Sequence, residues 1–165
     1  RVLYGSDAAV MSPALPATFS SIAALPTPGR TRTFTLSEQM MAASGGHGGG
    51  HGGGGSMKPM FTINGQVFPN VPVISAKLGE TELWDVMSDE QIDHPFHLHG
   101  FFFQVLSRGG VTEQVRAWKD TVNIKGKEHL RLAVRFDGNV GRWPYHCHIL
   151  EHAENGMMGE LDINP

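Results

Sequence analysis

From Met60 onward the chain is a series of short β-prone runs: "MFTI", "VPVISA", "ETELWDVM", "FHLHGFFFQVL", "TEQVRAWKDTVNI", "EHLRLAVRF", "RWPYHCH" and "MMGELDI". Turn residues separate them, among them Asn64-Gly65, Gly79, Gly109-Gly110, Gly126 and Asp137-Gly138. Short strands punctuated this closely predict an all-β fold, an antiparallel sandwich or barrel. Only "ILEHAENGMM" has room for a helical turn. A chain of 165 residues suffices for one domain with a real core.

The N-terminal part reads differently. "SPALPATFSSIAALPTPGR" carries Pro13, Pro16, Pro26 and Pro28, which exclude regular helix or a central strand. Residues 1–30 are therefore expected to be an extended linker. "RTRTFTL" (30–36) alternates as a first strand would. Residues 44–56, "SGGHGGGHGGGGS", cannot bury apolar surface and are expected to form a mobile loop. His47 and His51, with Met40, Met41, Met57 and Met60 nearby, offer soft and borderline ligands for transient copper(I) binding. The chain begins at Arg1 without a methionine, and is expected to be part of a longer protein.

Bulk properties exclude several classes. A net charge of −3 leaves no basic footprint for nucleic acid. No apolar run approaches the ~20 residues of a membrane span. A single cysteine cannot form an internal disulfide, so Cys147 is core, nucleophile or metal ligand.

Histidines decide between these. Six of the nine, and the cysteine, lie in "HPFHLHG" (94–100) and "HCHILEHAENGMM" (146–158). Alternate residues of a strand share a face. His97 and His99 then share one face, as do His146 and His148, while Cys147 points the other way. His94, three residues before His97, joins the Cys147 side, with His152 and Met157 arriving from the following loop. Two imidazoles, a thiolate and a thioether are the ligand set of a blue-copper site, the methionine being the weak axial ligand. The opposite face offers four imidazoles. Zinc would leave surplus histidines and Met157 unexplained. A papain-like Cys–His nucleophile would use one histidine and leave the rest idle. His129, in "GKEHLRL", reads as an ordinary strand residue.

Both motifs closely resemble the C-terminal copper motifs of the multicopper oxidases, laccases and bacterial copper-resistance oxidases included; the resemblance runs from about Met60 to Asp162 and takes in "WKDTV". It implies a cupredoxin-like Greek-key β-barrel over residues 31–165, with 44–56 as a loop inside it. It implies His94, Cys147 and His152 on a type 1 copper with Met157 axial, His97 on a type 2 copper, and His99, His146 and His148 on a type 3 pair. Electrons from a reducing substrate (a phenol, an aromatic amine or a metal ion such as copper(I)) would leave the type 1 site through Cys147 into His146 and His148, and O2 would be reduced to water at the three-copper cluster. That cluster takes eight histidines in the family. This chain has four, so the remaining domains of the oxidase, on the same precursor or a separate chain, are expected to supply the others. The family also implies a periplasmic or secreted location. Many bacterial relatives carry a glutamate immediately after the histidine matching His152; here Ala153 stands there, leaving Glu154, Asp120 or the absent half to supply protons. The alternatives are a freestanding blue-copper electron carrier, which would have no use for four further histidines, and a copper-storage or chaperone module.

Overall fold

The computed structural model describes residues 21–42 and 57–165. The linker reading of residues 1–20 and the mobile-loop reading of 44–56, with His47 and His51, lie outside the described residues. Residues 21–29 have no regular secondary structure. Eleven strands and one short helix follow, as the all-β expectation requires.

One sheet contains β1 (Arg30–Ala42), β2 (Met57–Ile63), β4 (Thr81–Ser88), β9 (His129–Arg135), β6 (Phe103–Arg108) and β7 (Val111–Thr112), in the order β2-β1-β4-β9-β6-β7. The other runs β3-β11-β10-β5-β8, from β3 (Ile74–Lys77), β11 (Met158–Asn164), β10 (Gly141–Cys147), β5 (His94–Leu98) and β8 (Thr121–Ile124). Pairing is antiparallel except for β1 with β4 and β3 with β11. The two sheets enclose a single core that includes Phe34, Trp84, Phe96, Phe136, Tyr145 and Cys147. Alternation generates it: β5 buries His94, Phe96 and Leu98 and leaves Pro95 and His97 half-buried, while β10 buries Tyr145 and Cys147 around a half-buried His146.

Two expected strands are interrupted. "FHLHGFFFQVL" is two strands, because the chain leaves one sheet after Leu98 and joins the other at Phe103. Gly100 makes the crossing at φ +76°, where a Cβ would enter the Trp143 ring. "TEQVRAWKDTVNI" ends its first pairing at Thr112, touches the sheet once through a Phe103–Lys119 bridge, and resumes as β8 only at Thr121. The phenylalanines fall as alternation predicts: Phe101 and Phe103 are buried and Phe102 is 55% exposed.

Candidate metal centre

The buried site is assembled from three elements. The inward positions of β5 and β10 present His94 and Cys147, and helix α1 (Leu150–Glu154) turns the chain back so that His152 covers them. His94 Nδ1 and His152 Nδ1 lie 3.2 Å apart, and Cys147 Sγ lies 3.8 Å from the first and 3.5 Å from the second. All three residues are buried. The His152 ring stacks on Phe61 at 3.9 Å and 15°, which fixes its plane. Met157 is fully buried; its carbonyl accepts the Cys147 amide and its own amide donates to the His152 carbonyl. Before His94, the Asp93 carboxylate accepts the Asn123 side-chain amide at 2.7 Å and the Gly126 backbone amide at 3.1 Å, tying the start of β5 to β8.

The protonation states suit a cation. Burial, and then the neighbouring His152, push His94 down to about 4. Burial lowers His152 too, opposed by Glu151 and Glu38. The imidazoles are thus neutral with lone pairs to give. Burial pushes the Cys147 thiol up to about 11, against a hydrogen bond from the Ile149 backbone. Cys147 would give up its thiol proton to hold a metal here. Two ring nitrogens and a sulfur converging in a dry pocket form a soft-to-borderline donor set that fits a metal.

The second cluster lies on the opposite face of the same two strands. Ring nitrogens of His97, His99 and His146 fall within 4.8 Å of one another, with His99 Nε2 and His146 Nε2 3.0 Å apart. His148 is exposed, its ring 5.4 Å from that of His97 and 5.5 Å from that of His146. His97 Nδ1 is held by the Asp120 carbonyl (3.0 Å) and the Thr121 hydroxyl (2.8 Å), and His146 Nδ1 by the Cys147 carbonyl (2.7 Å), so each turns Nε2 toward the cluster. Burial and the neighbouring imidazoles lower His99 and His146. Two prolines fix the backbones of the remaining pair: the His99 amide donates to the Pro144 carbonyl (3.1 Å) and the His148 amide to the Pro95 carbonyl (2.7 Å).

The structure therefore gathers His94, Cys147 and His152 in one place, and His97, His99, His146 and His148 in another. Not every ring has the outer partner that ligating imidazoles usually keep: His94 Nε2 is buried without a hydrogen bond among the described residues. His129 pairs with Asp85 on the surface, as an ordinary strand residue would. Trp143 packs edge-on against Phe101 and donates its indole N–H to the Asn139 carbonyl. Sequence reasoning missed Phe61 beneath His152 and Thr121 behind His97. Neither is signalled locally, since both contacts cross between elements distant in the chain. Asp93 and Asp120 are legible beside the motifs in the sequence: the first ties the start of β5 to β8, and the carbonyl of the second holds His97.

Comparison with known proteins bears on the family and the fold. The family model described as multicopper oxidase matches residues 48–165. A multicopper oxidase of Staphylococcus epidermidis is 39% identical over 114 residues, 65% of this chain and 25% of the relative. A laccase of Haloferax volcanii is 40% identical over 104 residues, 59% of this chain and 18% of the relative. The solved multicopper oxidase of Campylobacter jejuni, described as a metallo-oxidase, superposes with a TM-score of 0.74 at 30% identity, covering 93% of this chain and 34% of that one. The chain thus spans about a quarter of the length of the Staphylococcus relative. The matched region takes in both histidine motifs and every strand from β2 on. Sequence and cupredoxin-like fold lead to the same place: the chain belongs to the multicopper oxidase family.

Proposed function

We propose that this chain is the copper-binding C-terminal part of an oxidase that takes single electrons from a small reducing substrate and reduces O2 to water. Copper is the metal of the family, and when bound it supplies the one-electron chemistry at both sites. His94, Cys147 and His152 would hold the type 1 ion, and the buried Met157 would offer its thioether as a further donor. His97 would ligate the type 2 ion and His99, His146 and His148 the type 3 pair. The observation that carries this reading is the HCH triplet. Cys147 belongs to the buried cluster while its covalent neighbours His146 and His148 belong to the other, so the backbone itself joins the two. The chain also keeps the buried site dry, holds the ring planes through Phe61, and fixes the Nδ1 atoms of His97 and His146.

The half-exposed cluster has four histidines, and the remaining domains would bring four more. O2 would then be reduced in a space shared between this chain and those domains. Asp120 offers a carboxylate near His99, whose proton affinity it raises against the stronger effect of burial; protons for O2 reduction would come from Asp120, Glu154 or the remaining domains. We place the assembled oxidase in the periplasm or outside the cell, as the family reading implies. Among the described residues no helix is long and apolar enough to cross a membrane.

Among reducing substrates, one observation favours copper(I). In the β1–β2 register Glu38 faces Phe61, Met40 faces Pro59 and Ala42 faces Met57, so Glu38, Met40 and Met57 share the hairpin face that carries Phe61. Phe61 touches His152, and Met40 and Met57 are 55% and 53% exposed. Two accessible thioethers along the approach to a type 1 ligand suit a soft cation. In the assembled oxidase, deleting 44–56 or replacing both methionines by serine should lower copper(I) oxidation more than phenol oxidation; equal losses would remove the argument. The whole reading is tested by loading the isolated chain with copper(II). An intense blue band without steady oxygen uptake is expected, and sustained uptake by the partner-free chain would overturn it.

A further inference from the structure

A cavity of about 310 Å³ opens between the two sheets where β1 and β2 part from β3. Among the described residues no histidine, cysteine, aspartate or glutamate lines it. Its walls are apolar, formed by Phe34, Ile63, Val71 and Ile74. The volume lies at the lower end of the range for small-molecule pockets, enough for one substituted ring.

Arg32, Thr33, Asn64, Gln66 and Tyr145 bring polar groups to it, and two of these, Arg32 and Tyr145, offer hydrogen-bond donors held in place by their surroundings. Tyr145 is buried, and its ring lies across Gly159, where a Cβ would meet the phenol oxygen. The hydroxyl is thereby carried toward the β3 edge, and it makes no hydrogen bond among the described residues. A phenol O–H is a hydrogen-bond donor and can serve an anion. Arg32 is the second group. Its Nε and Nη2 are bound to the buried Glu82 carboxylate at 2.6 and 2.8 Å, and Nη2 also donates to the Ser75 carbonyl at 2.6 Å. Trp84 Nε1 donates to the same carboxylate at 2.9 Å. The guanidinium is therefore locked in place, and Nη1 has no partner among the described residues. The Asn64 side chain at the rim is already spent on Thr35 and Thr33.

We infer that this cavity is a binding site for a small aromatic carboxylate, its ring between Phe34 and the Val71–Ile74 segment and its carboxylate accepting from Arg32 Nη1 and the Tyr145 hydroxyl. A ring-sized apolar space, two fixed donors and no carboxylate among the described lining residues define that class. Without a histidine or cysteine it is no metal site. It touches the copper chemistry only through position: Tyr145 precedes Cys147 by two residues on the same face of β10, about 7 Å along the strand. An occupant there is an effector, bound at the opposite end of β1 and β2 from Met40 and Met57.

Benzoate is the probe. Isotopically labelled full-length chain, stripped of metal so that the histidine clusters cannot bind the anion through an ion, is titrated and followed by amide chemical shifts. Saturable shifts should concentrate at residues 71–74 and around Arg32 and Tyr145. Tyr145→Phe should weaken benzoate by roughly five- to tenfold, and Val73→Trp, at the exposed rim, should abolish binding while the rest of the spectrum stays native. Benzyl alcohol should bind about tenfold more weakly than benzoate, as loss of charge-assisted hydrogen bonds predicts. No saturable binding, shifts confined to the histidine motifs, or affinity unchanged by both variants would overturn the site; equal affinity for benzyl alcohol would overturn the carboxylate assignment.

Discussion

Cys147 Sγ has two imidazole nitrogens within 3.8 Å and no solvent, so its chemistry depends on what replaces its proton. With the thiol pushed up to about 11, copper(II) uptake at the buried site should release a proton and weaken as pH falls. Cys147→Ser removes the soft donor while nearly conserving volume. The variant should keep native-like circular dichroism and lose the intense visible band on copper loading. The metal-free protein should also show the imidazoles in its stability. His94 protonates at about 4 when folded against an ordinary value of 6.5. Between those values the unfolded chain binds the extra proton, so stability is fully present above pH 6.5 and is lost as pH falls toward 4. Roughly 3 kcal/mol is at stake for this residue, and His99, His146 and His152 shift in the same direction. Denaturant midpoints of the metal-free chain at pH 7, 5.5 and 4.5 should fall steadily, and His94→Gln should flatten the trend.

Strand parity carried most of the site across from the sequence. Period-two alternation in β5 and β10 places Cys147 and His94 on one face and His97 and His146 on the other, with Pro95 seated inside the strand and paired with Asn123. Alternation does not reveal where a strand changes sheets. "FHLHGFFFQVL" reads as one run because its apolar residues serve two sheets in succession, and only Gly100 marks the exchange. "TEQVRAWKDTVNI" misleads in the opposite way: its Val115 and Trp118 are exposed, so β-propensity there reflects neither pairing nor burial. Gly100→Ala tests the crossing. A left-handed backbone and a Cβ directed into Trp143 should together cost roughly 2 kcal/mol or more, read from urea midpoints. Because His99 is the adjacent residue, the variant should perturb copper binding at the half-exposed cluster before it affects the blue band.

At the scale of the molecule the two clusters differ in how complete they are. The buried one closes within this chain: strand, strand and helix supply its donors, and Phe61 from β2 covers the outer ring. The other is open, with His148 exposed and the ring nitrogens of His99 and His146 facing each other rather than any further ligand. A site that is pre-formed holds metal without help, whereas an incomplete one gains affinity only when its missing ligands arrive. Copper content should therefore be set by assembly. The isolated chain, after dialysis against a mild chelator, should retain about one copper, spectroscopically blue. Mixed with the remaining domains of the oxidase, it should reach about four, and oxygen uptake should appear in step with the additional metal. His97→Gln should block that increase and the oxygen uptake while leaving the blue copper in place. If the isolated chain held about four coppers, the four histidines of the open face would be sufficient by themselves, and the need for a second half would be refuted.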